Sequence, residues 1–191
     1  MNNLPRSSLL VPADDPKLDQ ALTWEPDAIS LDLADLVHPS RLANARISMA
    51  KNISLIASNG TIAMGRIDIA AVDTDLVATI HPGLSSVLLN GIEHAEEVTR
   101  MEPLIRDAEV LNGVPHGTVK LIPFLTTARG LYNSAELAES SPRVTALAIG
   151  SGDLAFDLLP EQDKDMFFYT GPNPRISSPE FLITRTTMLG S

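Results

Sequence analysis

The chain has 191 residues, enough for one sizeable domain, and its 44% hydrophobic and 20% charged content is an ordinary globular balance. Fourteen basic against 24 acidic residues give a formal net charge of −10, which argues against nucleic acid and anionic membrane as partners. There is no cysteine, so a disulfide framework and a thiolate metal site are ruled out.

Residues 1–6 lack the charged start and long apolar stretch of a signal peptide, and no apolar run approaches the roughly 18–20 residues of a membrane span. The expectation is a cytoplasmic chain. Along it, apolar runs of strand length recur, each followed by a turn and a helical pattern. The first is Ser8-Leu9-Leu10-Val11-Pro12; Asp15 then caps a helix opening at Pro16 and running through Leu18, Ala21 and Leu22. The second strand is predicted over 28–33, with a helix over 41–51. The third is Ile53-Ser54-Leu55-Ile56-Ala57-Ser58, ended by the turn pair Asn59-Gly60. The fourth covers 86–89, closed by Asn90-Gly91, with a helix over 95–108. The fifth covers 119–125, with a helix over 134–140 whose inward positions are Ala135, Leu137 and Ala138. The sixth covers 144–150.

These strands read as continuously apolar, as expected where helices cover both faces of a parallel sheet. Residues 160–180 hold four prolines and no clear period, so 160–191 reads as an irregular segment. Within it, 181–189 has the length of one more strand or helix, a remnant of a seventh unit. No clear strand seven or eight is legible. Periodicity by itself slightly favours an open doubly wound sheet over a barrel lacking its end.

The order of short motifs adds to this. The run from Arg6 to Pro16, Leu31-Asp32-Leu33-Ala34-Asp35, the stretch from His38-Pro39 to Ala45-Arg46, Pro82-Gly83 through Glu93-His94-Ala95-Glu96-Glu97-Val98, Thr126-Thr127-Ala128-Arg129-Gly130, Ser141-Pro142-Arg143-Val144 and Gly150-Ser151-Gly152-Asp153-Leu154 together resemble the citrate lyase beta-subunit-like proteins of the HpcH/HpaI aldolase family. The resemblance runs in order over about residues 6–158. It implies a TIM-type (β/α) barrel, here incomplete at about six βα units over 1–159. It also implies Mg²⁺ and cleavage or formation of a carbon–carbon bond beside a carbonyl. The implied substrates are acyl-CoA or acyl-carrier thioesters of the citryl or malyl type, or 2-oxo acids.

Such chemistry needs a hard divalent cation held by carboxylates to neutralise charge on the carbonyl oxygen, and an arginine fork for a substrate carboxylate. The resemblance places the metal-binding aspartate at Asp153; the competing reading of that residue is a helix N-cap. The glutamate expected to partner it falls on Thr126, which is assigned to substrate binding instead. The arginine implied at the end of strand three falls on Ala57, an acidic residue of the second-strand motif on Ala34, and a strand-four lysine near Gly91. Asp32 and Asp35 are the candidate catalytic acids and could supply a second metal carboxylate; the alternative is that they are strand-end and turn-capping residues. Arg6 is the remaining substrate-binding candidate, against a plain surface arginine; Arg129 reads as structural. His38, His81, His94 and His116 show no metal-type spacing, and Gly150-Ser151-Gly152 lacks the third glycine of a dinucleotide fingerprint. Two functions remain open: a Mg²⁺-assisted carbon–carbon lyase, or a degenerate, non-catalytic partner subunit. In either, exposed strand edges predict a homo- or hetero-oligomer.

Overall fold

A computed structural model describes residues 5–159 and 181–184. Six parallel strands, β1 (Ser8–Pro12), β2 (Ala28–Asp32), β3 (Ile62–Asp68), β4 (Leu84–Asn90), β5 (Lys120–Leu125) and β6 (Ala146–Ile149), lie side by side in strict chain order. After β1 comes α1 (Leu18–Leu22), after β2 α2 (Leu42–Ser58), after β3 α3 (Val72–Thr79) and after β4 α4 (Ala95–Leu111). Two short helices, α5 (Ala128–Tyr132) and α6 (Ser134–Glu139), follow β5, and α7 (Ser151–Leu158) follows β6. A last strand, β7 (Phe181–Thr184), pairs with β6 and runs antiparallel. None of the described helices is long and apolar enough to cross a membrane.

An open doubly wound sheet reverses its strand order at a switch point. This sheet never does. Each strand is laid beside the one before, which is how a (β/α)₈ barrel is wound. The fold is therefore an incomplete TIM-type barrel of six βα units, as the resemblance implied, and not the open sheet that periodicity favoured. Of the segment 160–191, only β7 is described; its antiparallel direction distinguishes it from a seventh βα unit, and the rest lies outside the described residues.

The sheet is apolar on both faces. Ile29, Leu31, Ala63, Ile67, Val87 and Leu89 join the main core with Ala45, Met49, Ile53 and Ile56 of α2 and Val98 and Ile105 of α4. The alternate residues Ala28, Met64, Leu88, Ile122, Phe124, Ala146 and Ala148 form a second cluster on the inner face. Two-sided burial explains why the strands read as unbroken apolar runs.

Strand three is a correction. Residues 53–58 are the C-terminal end of α2, where the buried positions 45, 49, 53 and 56 follow helical spacing. Asn59-Gly60 ends that helix and not a strand. The true β3 has Gly65, Arg66 and Asp68 among its seven residues, which hid it as a strand. Gly65 is there for contact: a Cβ added to it would meet Thr79 Cγ2 of α3 at 2.3 Å. The helix α3 was not anticipated, and Ala135 is exposed while Leu137 and Ala138 are buried. The other strands lie within two residues of expectation at either end. The expected Asp15 cap does not form: α1 begins at Leu18 with Lys17 in the N-cap position and no side-chain capping bond, and Asp15 Oδ1 accepts from Lys17 N at 2.8 Å in the turn before it.

The lower end of the sheet is tied by a buried ion pair. Glu109 of α4, with no exposed surface, receives Arg143 Nη1 and Nη2 at 2.9 Å each, and the N–H groups of Gly117 and Val119 at 3.0 and 3.1 Å. Burial opposes the charged carboxylate, but Arg143 and the two backbone donors together outweigh it, so Glu109 titrates below its usual range. A lowered acid contributes stability above its unfolded-state value and loses it as pH falls through the folded one. Arg143→Met strands that charge, so urea unfolding at neutral pH should show a loss of about 3–5 kcal/mol, shrinking as the pH is lowered toward the range where Glu109 protonates.

Candidate functional site

The C-terminal ends of the strands carry the polar residues of the inner face. Asp32, the last residue of β2, is fully buried. Its Oδ2 accepts from Asp35 N at 2.9 Å and Leu36 N at 2.6 Å, closing the turn after β2. Its Oδ1 receives Arg66 Nη1 at 3.2 Å. Arg66 Nη2 donates to Asp35 Oδ2. The Arg66 side chain is only 4% exposed, while that of Asp35 is 57% exposed, so the fork reaches from the interior to the rim.

Below the guanidinium lies an aromatic floor. Arg66 Cζ sits 4.6 Å from the centroid of the Phe124 ring, a cation–π distance. Gly150 permits this arrangement at the end of β6: a Cβ there would meet Phe124 Cε1 at 2.6 Å and Thr126 Cγ2 at 2.9 Å. Asn90, ending β4 on the same face, donates from Nδ2 to Asp68 Oδ2 at 3.2 Å.

Asp153 stands in the first turn of α7 and makes no capping bond, so it is not the N-cap; Gly150 occupies that position. Its carboxyl is pushed above the usual range, first by loss of water around it and then by the charge of Asp35, with Arg66 pulling the other way. Asp32 is likewise pushed up, by burial above all, with the Leu36 N–H and Arg66 opposing. Two carboxyl groups thus pair with one guanidinium, and a third, Asp153, feels its charge.

Of the residues expected from sequence, Asp32 and Asp35 come together on Arg66, and Asp153 stands at the same end of the sheet where the charges of Asp35 and Arg66 act on it. Thr126 is half-buried at the same mouth, against Gly150. Arg6 does not join them. It precedes β1, pairs with Asp27 before β2 at 3.3 Å, and is 90% exposed, so it lies at the N-terminal ends of the strands. Arg129 is also outside, 3.8 Å from Glu93. Arg66, Asn90 and Phe124 were missed. The true β3 carries an arginine, Arg66, near its C-terminal end, and placing the implied arginine on Ala57 followed from the misplaced strand. The available signal was the turn pair Asn59-Gly60 followed by Ile62, read as the start of a strand.

Residues 6–167 match the HpcH/HpaI aldolase/citrate lyase family. The chain belongs to that family. It is 27% identical over 164 residues to citrate lyase subunit beta of Leuconostoc mesenteroides subsp. cremoris, a match covering 83% of this chain and 54% of the relative. It is 25% identical over 166 residues to citrate lyase subunit beta of Haemophilus influenzae, covering 85% and 57%. The chain therefore spans about half the length of the curated relatives it matches. Among solved structures, the citrate lyase beta subunit of M. tuberculosis complexed with oxaloacetate and magnesium superposes with a TM-score of 0.58 at 24% identity, over 79% of this chain and 60% of that one. At that identity the likeness establishes the shared fold.

The donors set a limit on any metal. Among the described residues no group of three His, Cys, Asp or Glu side chains is placed to hold an ion. Magnesium, however, ordinarily keeps several waters and takes one or two carboxylates. Asp153 and Asp35 are two carboxylates at this mouth whose charges act on one another, and Asp35 is already paired with Arg66. The set fits an ion held largely through water and substrate oxygens, and does not fit a closed protein cage.

Replacing Arg66 by Met leaves Asp32 charged, buried and unpaired. The expected cost is about 3–5 kcal/mol at neutral pH. An acid whose folded value is raised is tolerated below its unfolded value and costs stability as pH rises through the folded one. Urea midpoints of Arg66→Met should therefore fall further below wild type at pH ~7 than at pH ~4, the ordinary aspartate range.

Proposed function

We propose that this mouth is the reaction site of a Mg²⁺-dependent carbon–carbon lyase or aldolase acting on a small 2-oxo acid or a citryl- or malyl-type acyl thioester. The observation that carries the reading is Arg66, buried, forked between Asp32 and Asp35 and stacked on Phe124 near the end of β3, with its charge acting on Asp153 after β6. A guanidinium in that setting recognises a carboxylate by two parallel N–H···O contacts. A substrate carboxylate would take the place of Asp35, the exposed member of the pair, while Asp32 keeps Arg66 aligned. Asp153 and the released Asp35 would hold magnesium. Bound there, the ion would polarise the substrate carbonyl and offset the charge that develops when the neighbouring carbon–carbon bond breaks.

The electrostatics support this. Three carboxyl groups against one cation disfavour an anionic substrate until protonation or a bound cation lowers the charge. Family membership and the citrate lyase relatives support the reaction class. Small-molecule partners and an oligomeric state belong to the same proposal.

A second reading has its own observation. Thr126 is neutral where the resemblance calls for a glutamate, so the ion has one carboxylate fewer at β5. On this reading the chain is a non-catalytic partner subunit that keeps the architecture.

Calorimetry with magnesium and pyruvate separates the two. Wild type should bind the pair together, with each ligand tightening the other. Asp153→Ala should abolish the magnesium response, and Thr126→Glu should strengthen magnesium binding by about tenfold or more, on the order of 1.4 kcal/mol. Silence from wild type and Thr126→Glu alike would sink the lyase reading and leave the partner subunit.

A further inference from the structure

The helix α7 carries Asp153 and is lightly packed. None of its residues is buried, and its larger inward side chains, Leu154 and Phe156, are only half-buried. Its entry is fixed by the backbone: Gly150 N donates to Leu125 O at the end of β5, at 2.9 Å. Attachment at one end alone leaves a helix free to pivot and to roll about its axis. A further attachment, near the other end, is a side chain. Asp157 Oδ2 accepts from Ala128 N, the first amide of α5, at 2.8 Å.

The start of α5 is a firm partner. Thr127 caps it, its Oγ1 accepting from Gly130 N at 3.1 Å and donating to Glu93 Oε1 at 2.8 Å. Gly130 packs so closely on the turn after β4 that a Cβ there would meet Ile92 O at 2.8 Å. Asp153 and Asp157 stand four residues apart, so they share one face of α7 on successive turns. They lie about 6 Å apart along the axis, at 1.5 Å of rise per residue. Whatever fixes the roll of Asp157 therefore fixes the roll of Asp153.

We propose that Asp157 is a positioning residue: by accepting the Ala128 N–H it sets the rotation of α7 and so where Asp153 stands at the mouth. Its own place is beside α5, in an open cleft lined by Glu93, Ala128, Arg129 and Tyr132. The inference rests on the proposed function in taking Asp153 as the magnesium carboxylate. A carboxylate one turn along the same helix could also act on the ion through its charge alone. The two modes differ in what they need: attraction by charge survives loss of the Ala128 donor, and positioning does not.

Two substitutions break the bond from opposite sides. Asp157→Ala removes the acceptor. Ala128→Pro removes the donor and leaves the Asp157 charge in place; proline suits the first position of a helix, and Thr127 before it is already extended at φ −125° and ψ 154°. Each should weaken magnesium binding, measured by calorimetry with pyruvate present, by about tenfold, as loss of a group that orients a metal ligand does. The double variant should be no worse than either single one. Both should also speed amide hydrogen exchange along α7. Asp157→Asn, whose amide oxygen still accepts, should keep wild-type affinity and exchange. Weakening by Asp157→Ala and Asp157→Asn but not by Ala128→Pro means that only charge matters and overturns the positioning role. Unchanged exchange along α7 in both bond-breaking variants overturns it too, as does faster exchange with unchanged magnesium affinity. If wild type takes up no magnesium, the proposed function falls, and the exchange comparison alone decides whether Asp157 holds α7.

Discussion

A guanidinium almost wholly removed from water needs compensation on every side, because an isolated buried charge costs several kcal/mol. Arg66 obtains it from three directions: the Asp32 carboxylate beside it, the Asp35 carboxylate at the rim and the face of Phe124. The surrounding architecture follows from that requirement. Asp32 must end β2 one strand away, in register with Arg66. Phe124 must lie on the inner face of β5. The chain must be glycine at 150, where any side chain would press on that ring. The turn after β2 is closed by the same Asp32 carboxylate, so the loop bearing Asp35 and the position of Arg66 are set by one group.

How far the sequence could be read depended on what each strand had to bury. Strands β1, β2, β4, β5 and β6 pack apolar side chains on both faces for most of their length, and they stand out as continuous runs. Strand β3 instead buries a charge, leaves room for a helix at Gly65, and ends in Asp68, so nothing in its composition announces a strand. The apolar run of residues 53–58, part of a long helix with a buried stripe, took its place, an ambiguity that short apolar runs carry by nature. The site inherited that error. Asp32, Asp35 and Asp153 were legible because they sit in motifs with fixed neighbours. Arg66 and Asn90 were not, because their roles arise only from register across β3 and β4.

The choice between barrel and open sheet shows the reverse. Periodicity cannot decide it, since both architectures use strands covered on two faces. Strand order decides it at once. Six strands laid down without a reversal have a winding sense, and that gives the inner face a mouth at which Asp32, Arg66, Asn90 and Asp153 converge from four different βα units. Thr126 is the departure within this pattern. It takes the fifth unit's place at the rim with a neutral hydroxyl, so charge balance there falls to Asp153 and Asp35.

The antiparallel strand β7 has a geometric consequence. It already occupies the backbone donors and acceptors along the outer side of β6 from Ala146 to Ile149. A strand running in the barrel direction would need those same groups. Phe181 to Thr184 therefore hold the edge of β6 at which the next parallel strand of a closed cylinder would pair, so this sheet ends there in a hairpin-like direction and not in the barrel's own.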